Sequence, residues 1–143
     1  MLDRADLLVV NLAGQKVEGC GSPSTETPMH IAIYDAVKEA GAVIHCHAPW
    51  ATAAGFGRER LDMRKLAEGR LLFPEVQVVP CHEPGSMALA LAAGRAARAG
   101  RIFVLEAHGV VAWGKDLLEA FCLVEQLENN LKIMALLSMF STR

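Results

Sequence analysis

With 143 residues, 52% of them hydrophobic and 21% charged, the chain is long enough to bury a core, and one domain over residues 1–143 is expected. The formal charge is −2 and the basic side chains are scattered, which gives no electrostatic footprint for nucleic acid or a membrane surface and points to a small molecule or protein as partner. No apolar stretch reaches about 18 residues without a charge and no secretory leader precedes Leu7-Leu8-Val9-Val10, so the widely spaced Cys20, Cys46, Cys81 and Cys122 are expected as reduced thiols in a soluble, cytoplasmic protein.

In chain order, Leu7 to Val10 and Lys16-Val17-Glu18 are predicted as two strands joined through Leu12-Ala13-Gly14-Gln15, with Gly14 supplying the permissive backbone. Gly19 to Thr27 is rich in turn formers and small hydroxyls, ending with Thr27 as the expected N-cap and Pro28 at the first helical position. A helix from Pro28 to about Ala40 comes next, stopped by Gly41. Val43 to His47 reads as a buried strand, and Ala51 to Gly55 as a short helix begun behind Pro49. Between 57 and 75, Arg58, Glu59, Arg60, Asp62, Arg64, Lys65, Glu68 and Arg70 mark a solvated surface segment rather than a substrate clamp. Val76 to Val79 is a short strand.

Pro84-Gly85-Ser86 introduces a second helix, Met87 to about Ala99, rich in alanine and ended by Gly100. Ile102 to Leu105 and Val110 to Trp113 are strands separated by Glu106-Ala107-His108-Gly109. Asp116 caps a last, long helix, with Glu119 at the third helical position as in a capping box. Its stripe of Leu117, Phe121, Val124, Leu127 and Leu131, widened by Leu118, Cys122 and Met134, predicts burial against a sheet and against another subunit.

The chemistry concentrates at His45-Cys46-His47. On a strand the side chains alternate between faces, so His45 and His47 project together while Cys46 points away. Two imidazoles so placed are half of a metal site, or else a pair of hydrogen-bonded histidines. A catalytic zinc takes three protein ligands and keeps a position for water or substrate, and neutral histidine suits it. His108, at the break between two predicted strands, is the best third ligand, with His30 and His82 weaker candidates; taken by itself, His108 reads more readily as structural than as a ligand. Glu26, in a Gly/Ser/Pro loop ahead of a helix, either complements the helix dipole or serves as a general acid/base.

Ser24-Thr25-Glu26-Thr27-Pro28-Met29-His30, then His45-Cys46-His47 with His45 19 positions after Glu26, then Glu106-Ala107-His108-Gly109-Val110-Val111-Ala112-Trp113-Gly114, together resemble the class II aldolase/adducin family. The 61 positions between His47 and His108, and Pro84-Gly85-Ser86 before an alanine-rich helix, are similar to that family too, most of all to its fuculose-phosphate aldolases. The resemblance runs from about Leu7 to Leu137. It implies an α/β, three-layer fold with a largely antiparallel central sheet flanked by helices, assembled as a homo-oligomer, usually a tetramer with active sites at subunit interfaces. It also implies a divalent metal, normally Zn2+, on His45, His47 and His108, with Glu26 as the catalytic acid/base. Ser24 and Thr25 match the family's paired hydroxyls for the substrate phosphate, helped by backbone amides near a helix N-terminus. The implied activity is that of a zinc-dependent aldolase cleaving a ketose 1-phosphate, like L-fuculose 1-phosphate, to dihydroxyacetone phosphate and an aldehyde.

Against that family the chain is expected to lack about fifty N-terminal residues, the stretch that supplies a helix and a Gly-Asn-x-Ser loop around the phosphate. The family's catalytic tyrosine also has no counterpart, because Tyr34, the single tyrosine, falls inside the helix after Glu26 and is expected to pack. Two alternatives share the scaffold, a methylthioribulose-1-phosphate dehydratase and a sugar-phosphate epimerase; Glu26 favours the first, since epimerases place aspartate there. The alternative of a different class is a non-catalytic, adducin-like assembly module. Members of that kind lose the metal ligands, which this chain retains.

Overall fold

The computed structural model describes residues 3–140. A 3-10 turn, Arg4–Asp6, leads into a hairpin in which β1 (Val9–Val10) pairs antiparallel with β2 (Lys16–Glu18). Asn11 organises the turn: its Oδ1 accepts from the Ala13 and Gln15 amides at 3.0 Å each, and Gly14 closes it at φ 77°. The first strand is shorter than the expected Leu7 to Val10, because Leu7 closes the 3-10 turn, its amide donating to the Arg4 carbonyl at 3.3 Å.

Helix α1 (Thr27–Ala36) differs from expectation at both ends. Its N-cap is Glu26 rather than Thr27, because the Thr27 amide already donates to the Ser24 carbonyl at 3.0 Å and Glu26 has helical backbone angles. It ends at Ala36 rather than near Ala40, since Val37 turns extended and buries its side chain in the core. Gly41 therefore does not stop a helix. Its amide donates to the Gly114 carbonyl at 2.8 Å and opens the central sheet, which begins with β3 (Ala42–Cys46), so His47 lies just past the strand. Helix α2 (Pro49–Gly55) comes next, with the Glu128 carboxylate accepting from its Trp50 and Ala51 amides at 3.2 and 2.6 Å.

The charged stretch after α2 is structured as well as solvated. It holds β4 (Arg60–Asp62) and α3 (Ala67–Leu72), followed by β5 (Glu75–Val79). Charges at 60, 62 and 64 alternate with Leu61 and Met63, which are 3% and 0% exposed, so a strand's period of two is hidden beneath a high charge density. Arg60 and Glu75 pair across β4 and β5 at 2.6 Å. Helix α4 (Met87–Ala99) is capped by Ser86, whose Oγ accepts from the Leu89 amide at 3.1 Å. β6 (Ile102–Leu105), β7 (Gly109–Gly114) and α5 (Leu117–Phe140) complete the chain. Asp116 caps α5 by accepting from the Glu119 amide at 2.8 Å, but Glu119 reaches the Lys115 amide and Arg101 rather than Asp116, so only half of the capping box forms.

The five-stranded sheet has the order β3-β7-β6-β5-β4, antiparallel at every junction except the parallel β5–β6 pair. Alternation sorts its side chains into two cores. Phe103, Leu105 and Val111 pack with Met29, Ile33 and Leu89 beneath α1 and α4. Ile102, Val104, Val110 and Ala112 pack with Leu61, Leu127 and Leu131 beneath α2, α3 and α5. The result is the expected three-layer α/β architecture with a largely antiparallel sheet. The buried face of α5 runs through Ala120, Leu123, Val124, Leu127 and Leu131, which rotates Leu117, Leu118 and Phe121 off the sheet and leaves them exposed, so the stripe expected through Leu117 and Phe121 is not the one the sheet covers. No helix among the described residues is long and apolar enough to cross a membrane.

Candidate metal centre

Sheet parity places the first histidine. Val43 packs into the α1–α4 core while Ile44 and Cys46 pack into the α5 core, so His45, in phase with Val43, faces the layer that contains α1. Cys46 points away from it, as the alternation predicts. Burial pushes the Cys46 thiol above its ordinary value, and the nearby Glu128 charge adds to this, which disfavours the thiolate.

β3 pairs with β7 in a register that sets His45 opposite Val111. His45 Nδ1 lies 3.0 Å from the Val110 carbonyl oxygen. A carbonyl only accepts, so Nδ1 carries the proton and Nε2 keeps its lone pair. That Nε2 is buried and has no protein partner.

His108 arrives from the turn between β6 and β7, whose backbone is unusual. The His108 amide donates to the Leu105 carbonyl at 3.1 Å, and Ala107 sits at φ 55°, a left-handed conformation that non-glycine residues rarely adopt. The residue after His108 must be glycine for a separate reason: a Cβ at Gly109 would collide with the Cys46 carbonyl oxygen. Close approach of these two backbones brings the β6–β7 turn against the end of β3, and with it His108 against His45 and His47.

The three rings stand with centroids 4.8 to 5.3 Å apart, and one ligand nitrogen from each lies within 4.8 Å of the others. Burial holds His45 below the usual imidazole range; the bond to Val110 and the Glu26 charge oppose this, and His108 and His47 reinforce it. A neutral imidazole is the form that binds a metal.

Glu26, at the start of α1, faces the same side of the sheet, close enough for its charge to act on both His45 and His30. Its amide donates to Ser24 Oγ at 3.2 Å, while its carboxylate Oε2 is buried without a protein partner. Two orphaned acceptors, a carboxylate oxygen and an imidazole lone pair, are costly unless something electropositive meets them. Three imidazoles of borderline softness fit a divalent ion such as zinc.

Ser24 and Thr25 are exposed and line a cleft of about 610 Å3 between the hairpin turn, α1 and α4, whose other walls include Leu12, Met87 and Leu91. Among the described residues lining it there is no Lys or Arg. Gly85, at φ 75°, lets the turn before α4 approach Thr25, whose carbonyl oxygen would lie 2.9 Å from an added Cβ. His30 and Tyr34 are half-buried on α1 and share a smaller cleft with Ser24 and Thr27; neither His30 nor His82 joins the histidine cluster. Burial also lowers the His30 pKa, against the pull of Glu26. Sequence reasoning missed the roles of Val110, whose carbonyl orients His45, and of Glu106, whose carboxylate accepts from the Gly57 and Cys81 amides at 3.0 and 3.3 Å. Glu106 stands inside a recognised motif. The Val110 contact depends on register between distant strands and leaves no local signal.

Comparison with known proteins matches residues 1–135 to the family model described as Class II Aldolase and Adducin N-terminal domain. The chain is 31% identical over 135 residues to an L-fuculose phosphate aldolase of Methanocaldococcus jannaschii, covering 94% of this chain and 72% of that protein. It is 33% identical over 132 residues to a 3-oxo-tetronate 4-phosphate decarboxylase of Haemophilus influenzae, covering 89% of this chain and 62% of that one. Among solved structures, an L-fuculose 1-phosphate aldolase superposes with a TM-score of 0.89 at 31% identity, over 98% of this chain and 66% of that chain. The chain thus spans about two thirds of the length of these relatives.

Proposed function

The chain belongs to the class II aldolase and adducin family, and from that premise we propose that it is a zinc-dependent aldolase, cleaving a ketose 1-phosphate to dihydroxyacetone phosphate and an aldehyde. The observation that carries this reading is the convergence of His45, His47 and His108 beside two buried, unpartnered acceptors, His45 Nε2 and Glu26 Oε2. His45, His47 and His108 would hold a divalent cation, which when bound would supply Lewis-acid polarisation of a substrate carbonyl.

The chain's own groups do the rest. Val110 fixes the His45 ring so that Nε2 faces the site. Glu26, the catalytic residue of this proposal, holds and moves a proton between its carboxylate and a substrate carbon or oxygen. Ser24 Oγ accepts from the Glu26 amide and so keeps its own O–H to donate, with Thr25, to a substrate phosphate. The substrate is accordingly a small phosphorylated sugar, and the four free thiols suit action in the cytoplasm. Leu117, Leu118 and Phe121, 65%, 70% and 52% exposed on one end of α5, support a homo-oligomeric assembly, with a tetramer favoured.

A second reading has a specific observation behind it. The decarboxylase from Haemophilus influenzae is as similar to this chain as the aldolase from Methanocaldococcus jannaschii, which supports a site that breaks a carbon–carboxylate bond instead. Incubation of the zinc-loaded protein with L-fuculose 1-phosphate and, separately, with 3-oxo-tetronate 4-phosphate separates the two. Release of dihydroxyacetone phosphate from the first supports the aldolase; release of carbon dioxide from the second, with the first untouched, replaces it.

A further inference from the structure

Glu106 lies at the metal end of the sheet, two residues before His108, and makes three connections there. Its amide donates to the Val79 carbonyl at 2.9 Å, carrying the association with β5 one residue past the end of β6. Its two carboxylate oxygens are used separately: Oε1 accepts from the Gly57 amide at 3.0 Å, and Oε2 from the Cys81 amide at 3.3 Å. Gly57 belongs to the turn after α2, at φ 67°, and Cys81 to the loop after β5. One half-buried side chain therefore joins three loops that come from distant parts of the sequence.

Those connections bear on the strained turn that carries His108. Ala107, the residue after Glu106, is held at φ 55°, which an L-residue keeps only where its surroundings over-determine the backbone. Within the hairpin, the turn is held by the His108 amide on the Leu105 carbonyl and by the pairing of Leu105 with Gly109. Both act on the chain immediately around it. Beyond the hairpin, the Glu106 amide holds the turn to the end of β5, and the Glu106 carboxylate is the side-chain group that ties it to the loops after α2 and β5.

We propose that Glu106 is a positioning residue for His108: by clamping the Gly57 and Cys81 amides it holds the Ala107 turn in the one conformation that aims the His108 ring at His45 and His47. The inference rests on the reading of the three histidines as a metal site. It gives Glu106 a role in metal affinity and geometry distinct from general support of the fold. Glu128 supplies the contrast, because it also uses one carboxylate to hold two amides, those of Trp50 and Ala51, but does so to fasten α2 to α5 and, among the described residues, has no hydrogen bond to the β6–β7 turn that carries His108.

Cobalt(II) serves as the probe, since its visible bands report both occupancy and ligand geometry. Co2+ is titrated into the full chain, into Glu106→Ala and Glu106→Gln, and into Glu128→Gln, with melting temperature recorded for each. Loss of a group bonded directly to a metal ligand weakens binding about 10- to 100-fold, and Glu106, acting on His108 through the backbone, is expected at the lower end, about 10-fold. Glu106→Ala is expected to show that loss together with shifted Co2+ bands, and Glu106→Gln, which keeps one acceptor oxygen, to fall between it and the parent chain. Glu128→Gln lowers the melting temperature while its Co2+ spectrum stays that of the parent. If Glu106→Ala does not fold, Glu106→Gln decides alone. Parent-like affinity and spectrum in the folded Glu106 variants overturn the proposal while leaving the metal site standing. Failure of the parent chain to bind Co2+ overturns the metal reading and this inference with it.

Discussion

His45 Nδ1 meets the Val110 carbonyl oxygen at 3.0 Å, across the pairing of β3 with β7. This bond selects the tautomer of His45 and turns its other nitrogen toward His47 and His108. In the metal-free protein at neutral pH, 15N NMR should therefore find His45 protonated at Nδ1 and bare at Nε2. Protonation at Nε2 with a bare Nδ1 would remove the pre-set ligand.

Gly109 is the point where β7 comes closest to the end of β3. A Cβ there would collide with the Cys46 carbonyl, a backbone atom that cannot move without taking His45 and His47 with it. Gly109→Ala should lower unfolding stability by about 1–3 kcal/mol, the usual cost of overpacking, and should weaken metal binding as well. Denaturant titration checks the first and Zn2+ titration the second; a variant unchanged in both would show that the close approach is dispensable.

The imidazoles make the metal-free protein sensitive to mild acid. Burial pushes both His30 and His45 below the ordinary imidazole value, with Glu26 opposing the shift in each case. As pH falls below about 6.5, the unfolded chain takes up protons on these rings while the folded chain does not, so stability declines on acidification and is complete above that pH. Urea midpoints should be lower at pH 5.5 than at pH 7.5, and His30→Gln should flatten the difference. Equal midpoints would mean that folding leaves these rings as well solvated as unfolding does.

Much of this centre was legible in the sequence because its chemistry is local. His45 and His47 stand two positions apart at the end of β3, and the resemblance of the motif around His108 to the class II aldolases supplied the third histidine of the cluster that the fold assembles, where His108 by itself read as structural. What escaped depends on long-range register or on phase. Leu61 and Met63 are sheltered but alternate with Arg60, Asp62 and Arg64, which hid β4. Val37 ends α1 early because the core claims its side chain, not because of any breaker. The first turn of α5 is apolar on a face that the sheet does not cover. Glu106 sat within a recognised motif, yet its partners Gly57 and Cys81 lie 49 and 25 positions away.

Glu26 separates binding from turnover. Its Oε2 is buried and unpartnered, while the three imidazoles supply the ligand nitrogens without it. Glu26→Gln should keep metal content near that of the parent and reduce turnover of a cleaved sugar phosphate by about 10²- to 10⁴-fold, the usual worth of a positioned acid/base. Undiminished turnover would remove Glu26 from the chemistry.

The most direct test of the three-histidine centre is metal content, measured by elemental analysis of the full chain after zinc loading and removal of free metal, beside His45→Ala and His108→Ala. About one zinc per parent chain is expected, as for a single three-histidine site, with near-complete loss in each folded variant. Zinc retained in those variants at the parent's level would contradict the assignment.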